Sequence, residues 1–320
     1  MWLFNNLFNL HDTPENPALL AAIDRAVSAV DPLLKQTDGY PEDFRQPVSV
    51  ALEYAKRLAY SLPGPVTIDR EAYAKDAFVH ALFPDINAIS DAVTASLALQ
   101  EYLRNSPGNN EFYALMGTRR IEKKVLGMEL SATTLQREVP QQAVYFSSHT
   151  LENPSPDEPR AREMSAMRFF DSLVGKVKER IEQRKQKKEA QIERRNILQT
   201  ALNTANTIER AAAEQHLAEA SAELQATVES LELSNFIADF NAVLLHPEQY
   251  LHLNRTSIIL DNMGIKRSAD DGERGQPLMF SELVGYDRRD WTLAIVHCTN
   301  IEYHSFAERL DKAYRYLTLY

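Results

Sequence analysis

The chain reads as an α+β protein: an N-terminal helical unit, a mixed or antiparallel sheet formed by strands on both sides of a long inserted antiparallel helical hairpin, and a C-terminal helix. Three observations predict this. The first hundred residues carry apolar side chains at helical spacing, and two β-rich stretches flank the middle of the chain. Between those stretches, residues 160–245 contain no proline and one glycine, Gly175. Of 320 residues, 44% are hydrophobic and 25% charged, a globular composition with enough apolar side chains for about two units.

Leu19, Ile23, Val27, Val30 and Leu34 recur at steps of three and four and draw one apolar stripe down a helix over 17–35. After Asp38, Gly39 and Pro41 a second helix is expected from Pro47, where proline suits a first turn, to the Pro63-Gly64-Pro65 break. Thr67 can cap a third helix reaching Phe83, and Pro84-Asp85 opens a fourth with Ile86, Ile89, Val93 and Leu97 at helical spacing. The stretch 106–110 (SPGNN) stops it. Strands are then expected at 112–117, 124–130 and 142–147, followed by a proline-rich connector, NPSPDEP. Past Pro247 come strands at 257–260, 265–267, 278–284 and 291–298, with an amphipathic helix over 305–317. The expected organisation is thus 1–106 as a helical unit, 111–152 with 253–320 as a sheet unit, and 160–246 as the hairpin.

The hairpin follows from length and charge. Unbroken, about 85 helical residues would span roughly 130 Å at ~1.5 Å each. Residues 176–195 hold nine Lys or Arg against four Glu, and 207–232 hold six Glu against Arg210. A reversal at 203–206 (NTAN) would lay these stretches of net +5 and −5 side by side. It would set Arg195 by Glu214, Lys188 by Glu219 and Glu223, and Arg180 by Glu229. Exposed ion pairs contribute only ~0–1 kcal/mol each, so they set register better than they hold arms together. The middle of the first arm is nearly all polar, so part of the hairpin is expected to lean on another element. Lys176, Arg180, Arg184, Lys188 and Arg195 become the candidate binding residues, facing a protein partner or a second copy of the chain.

Chemical signatures are few. The ten glycines form no phosphate-cradling loop, and HExxH, paired CxxC, calcium-loop and GxSxG patterns do not occur. No cofactor is expected. His246 and His252 bracket Glu248 in HPEQYLH, a spacing that offers imidazole and carboxylate to a metal if the loop folds back. The plainer reading places His246 at a helix C-terminus and His252 on the surface. His297 and Cys298 are neighbours on a strand, so they point to opposite faces and cannot pair as base and nucleophile. A dispersed enzyme site would draw on His149, Arg119, His297 and His304. Arg119, Arg120, Lys123 and Lys124 would crowd a strand turn that could touch phosphate, yet a net charge of −10 and the lack of interleaved aromatics disfavour nucleic acid.

One cysteine suits a reducing, cytoplasmic setting. The apolar start, MWLFNNLFNL, lacks the basic leader of a secretory signal and is half a membrane span. It is expected to pack on its own domain, with peripheral docking through Trp2, Phe4, Leu7 and Phe8 as the other reading. The function expected is that of a non-enzymatic interaction or scaffold protein using the charged hairpin. An enzyme with a dispersed site and a nucleic-acid-associated protein are the alternatives.

Overall fold

The computed structural model describes residues 17–106, 111–131, 134–206, 208–268, 275–285 and 291–300. The expected contributions of residues 1–10, His304 and the 305–317 helix lie outside them.

Helix α1 (Pro17–Val30) buries the predicted stripe, and Asp31 then caps a 3-10 turn over Pro32–Gln36 by accepting from the Leu33 amide at 3.0 Å. Helix α2 (Glu42–Tyr60) starts five residues earlier than expected, with Glu42 and Asp43 in its first turn and Pro47 inside it. Two carboxylates favour that N-terminus through the helix dipole.

The first hundred residues are not wholly helical: Val66–Ile68 is a strand, β1, where Thr67 had been expected to cap a helix. β1 lies parallel to a strand some 230 residues later in the chain, a partnership no local pattern encodes. The caps come instead from Asp69 before α3 (Arg70–Lys75), Asp76 before α4 (Ala77–Leu82), Asp85 before α5 (Ile86–Ala95) and Ser96 before α6 (Leu97–Asn105). Each side chain accepts from amides the first helical turn leaves unpaired.

The expected short strands at 112–117, 124–130 and 142–147 merge into two long ones, β2 (Phe112–Ser131) and β3 (Thr134–Ser155), paired antiparallel. Gly117 marks a register shift inside β2 rather than a turn, and the ladder continues through Arg119 and Arg120. β3 absorbs the start of the proline-rich connector, and α7 (Glu158–Thr204) begins beside it, with Asp157 accepting from the Arg160 amide at 2.9 Å. The chain reverses and returns as α8 (Arg210–Glu229) and α9 (Leu233–Leu244), followed by a 3-10 turn at Pro247–Gln249. Strands β4 (His252–Leu260), β5 (Gln276–Val284) and β6 (Trp291–Cys298) complete the described chain. Of the expected 265–267 strand, only bridges at Ile265 and Lys266 occur.

Two compact units result, one from residues 17–55 and 169–250, the other from 56–168 and 251–300. This differs from the expected division: the opening helices are shared between the units, and the hairpin belongs with α1. The reason is the apolar first half of α7, where Phe169, Phe170, Leu173, Val174, Val177 and Ile181 are buried. Within that unit Phe44 meets Phe240 edge-on at 5.0 Å, and Arg25 bonds Asp171 at 2.7 Å.

In the other unit the sheet order is β3-β2-β6-β5-β4, antiparallel throughout, with β1 added parallel to β6. Strands from before and after the hairpin therefore share one sheet, as expected. The turn after β4 reaches β3, where the Val144 amide donates to Gly264 O and the Lys266 amide to Gln142 O, both at 2.8 Å. The two ends of the strand order thereby meet. Alternate residues of the strands, among them Phe112, Met116, Phe146, Phe280 and Val296, share a core with Val79, Leu82, Ile89, Val93 and Leu99 of the helices.

Candidate functional site

At the base of the hairpin, Asp239 is buried on α9 among Phe236, Phe240 and Val243. Its carboxylate faces the Arg180 Nε at 3.2 Å and is in direct contact with the Arg184 guanidinium. Arg184 also donates to Ser230 O at 2.7 Å, and Arg180 to the Tyr250 hydroxyl at 3.4 Å. A buried carboxylate needs compensation of this kind: Arg180 supplies a charge-assisted hydrogen bond and Arg184 an ion-pair contact. Burial, and secondarily Arg180, holds the Arg184 pKa below the usual arginine value. An open recess of about 720 Å³ lies over this corner, lined by both arginines with Glu229, Glu232 and Asn235.

Arg180 and Arg184 are therefore committed to their own chain, and Lys176 pairs with Glu179 at 3.0 Å. Lys188 is half-buried, and Arg195 is exposed with a 3.3 Å bond to Asn196. The fold-back at Asn203–Asn206 occurs, with the Asn206 side chain accepting from the Ile208 and Glu209 amides at 3.0 Å. The expected pairings do not. Arg194 bonds Glu223 at 3.1 Å and Arg184 meets Ser230, so the return arm is displaced by about one and a half to two helical turns. Buried Asp239 on α9 takes up both Arg180 and Arg184, which withdraws Arg180 from the expected Glu229 pairing, whereas exposed carboxylates have water. Arg194–Glu223 is the one ion pair joining α7 to α8 among the described residues.

Beyond Ile181, Gln191 is the sole buried residue of α7, and its Oε1 has no hydrogen-bond partner among the described residues. On α8 the buried positions are Ala220, Leu224 and Thr227. Elsewhere the distal hairpin is half-buried at Ile192, Leu198, Leu202 and Leu217 and otherwise mostly exposed, including Ile197 at 62% and Ile208 at 91%.

Among the described residues, the candidate enzyme residues His149 and Arg119 lie on the paired strands β3 and β2, and no hydrogen bond or ion pair joins either of them to His297. His149 is half-buried on β3, its Nε2 2.8 Å from Leu82 O and its ring stacked 4.7 Å from Phe83. Burial lowers its pKa, against a smaller upward effect of the Leu82 bond. His297 stacks on Tyr113 at 4.3 Å and bonds Glu111 at 2.7 Å, on the sheet face opposite buried Cys298. Arg119 sits opposite Ser147, six residues along β2 from Tyr113 or roughly 20 Å at strand rise. Strand alternation splits the basic cluster, and Arg120 is tied to Glu282 at 2.9 Å and Glu122 at 3.1 Å. His246 precedes the 3-10 turn and His252 opens β4. No group of three or more His, Cys, Asp or Glu side chains suited to a metal ion occurs among the described residues.

Two residues that sequence reasoning missed organise their surroundings. Asp239 had a signal, a lone carboxylate in the apolar segment FIADFNAVL. Arg162, buried near the start of α7, had none, since it resembles any arginine of a charged helix. No described helix is long and apolar enough to cross a membrane. Comparison with protein-family models, curated proteins and solved structures found no match to any of them.

Proposed function

We propose that the chain is a non-enzymatic interaction or scaffold protein, in which the hairpin of α7 and α8 engages a protein partner or a second copy of the chain. The carrying observation is that residues 182–204 of α7, about 35 Å of helix at ~1.5 Å per residue, bury Gln191 alone. A long helix that adds so little to the core has its main consequence at its surface, and Ile197 and Ile208 expose large apolar side chains there. Ala213, Leu217, Ala220, Leu224 and Thr227 alternate steps of four and three, which reads as a short antiparallel coiled coil. The cytoplasmic setting expected from the single cysteine belongs to the same reading.

The test uses the full chain and an Ile197→Asp, Ile208→Asp variant, whose changes lie at exposed positions and leave the fold intact. Light scattering and co-purification from native lysate are compared for the two. Loss of a co-purifying protein or of a higher-mass species supports the reading; identical mass and identical partners refute it.

A further inference from the structure

The unit built on the sheet contains a half-enclosed cleft of about 740 Å³ between α3–α4 and the turn that follows β4. That volume lies within the range of roughly 300–1,000 Å³ typical of small-molecule sites. Its apolar lining comes from Phe83, Val144, Phe146, Leu260 and Leu278, all buried.

Its walls are preformed. Asp261 Oδ1 accepts from the Met263 and Ile265 amides, each at 2.9 Å, while Oδ2 accepts from the Arg267 guanidinium at 2.7 Å. Gly264 allows the turn to approach β3: its φ is +71°, and a Cβ there would lie 2.8 Å from Val144 O. On the other side Asp76 caps α4, and His80 Nε2 reaches Asn262 O at 3.3 Å, which ties the two walls together.

The same bonds define what the cleft can accept. Asp76 and Asp261 are spent on amides and Arg267, and Lys75 is paired with Glu71 at 2.6 Å, so among the described residues no uncommitted charge lines the space. The backbone groups joining the turn to β3 are already bonded to each other, which leaves no edge there for an added peptide strand. Met263 and Tyr145 stand at the rim 85% and 40% exposed, an adaptable thioether and an amphipathic ring over an apolar floor.

We infer that this cleft binds a small, uncharged, largely apolar molecule. The site is independent of the hairpin. The probe is 2-naphthol, titrated by fluorescence into the full chain, with benzoate and benzylamine as charged competitors. Saturable one-to-one binding is expected, weakened at least tenfold by Met263→Asp at its exposed position and by Ala81→Phe, which fills the cleft. The charged competitors should displace the probe at least tenfold less well than phenol does. Absence of saturable binding, binding unchanged by Met263→Asp, or displacement by benzoate or benzylamine as effective as by phenol would each overturn the inference. Should Ala81→Phe fail to fold, the Met263→Asp result decides.

Discussion

Replacing Arg162 by methionine keeps most of the side-chain stem and removes the guanidinium from a side chain that is only 8% exposed. Its Nη1 donates to Ala59 O at 2.9 Å and to Leu62 O at 3.1 Å, its Nη2 to Gly64 O at 3.0 Å, and its Nε to Glu158 at 2.7 Å. α2 ends at Tyr60, so the Ala59 carbonyl belongs to the last turn, where its only backbone donor among the described residues is the Leu62 amide at 3.4 Å, and a cation there also meets the negative end of the helix dipole. Hydrogen bonds to a charged donor contribute about 1.5–3 kcal/mol each. The Glu158 bond is discounted because that carboxylate is partly exposed. Removing one member of such a buried network costs about 3–5 kcal/mol, less than the sum of its bonds because relaxation and water recover part of it. For a unit of this size about 2–4 °C is lost per kcal/mol, so Tm should fall by roughly 6–20 °C. Thermal unfolding followed by the fluorescence of Trp291 in β6, with Trp2 changed to phenylalanine in both proteins, reports on this unit. A fall below about 2 °C would refute the claim that this guanidinium is what holds the Ala59, Leu62 and Gly64 carbonyls together.

Burial depresses the His149 pKa, so below the ordinary value of 6.5 the unfolded chain takes up the proton first. The stability linked to neutral His149 is therefore complete above pH ~6.5 and declines as pH falls through the folded value. His149→Phe should flatten the change in urea midpoint between pH 7.5 and 5. Gln191→Leu removes a buried unpaired oxygen and should raise the stability of the hairpin unit by about 1–2 kcal/mol in urea unfolding. Asp239→Ala leaves Arg180 and Arg184 adjacent without a counter-charge and should destabilise that unit by about 2–3 kcal/mol, a value reduced because Arg180 is half exposed. Circular dichroism at 222 nm during urea titration measures both.

Patterns that repeat within a few residues could be read directly. The stripe from Leu19 to Val30 became the buried face of α1, and the proline-free run from Arg160 became α7, reversed at the asparagines anticipated. Of the candidate site, the hairpin and its charged arms were legible, as was the placement of His297 and Cys298 on opposite faces of β6. The roles of individual cations were not. Arg180 and Lys188 look alike in the sequence, and one grips a buried carboxylate that lies 59 residues away.

Local periodicity and punctuation are written in the residues themselves: helices where apolar side chains recur at 3.6, strands where β-formers gather, and a reversal where short polar residues break a run. The strand that β1 joins, the length of β2 and β3, the place along α7 where the return arm settles, and the burial of Arg162 and Asp239 emerge only once the chain has folded. Periodicity arises from backbone geometry within a turn or two, so it is written into neighbouring residues. Pairing, register and the burial of a charge depend on groups brought together from distant parts of the chain, where the cost of an unmet polar group selects one arrangement over its alternatives.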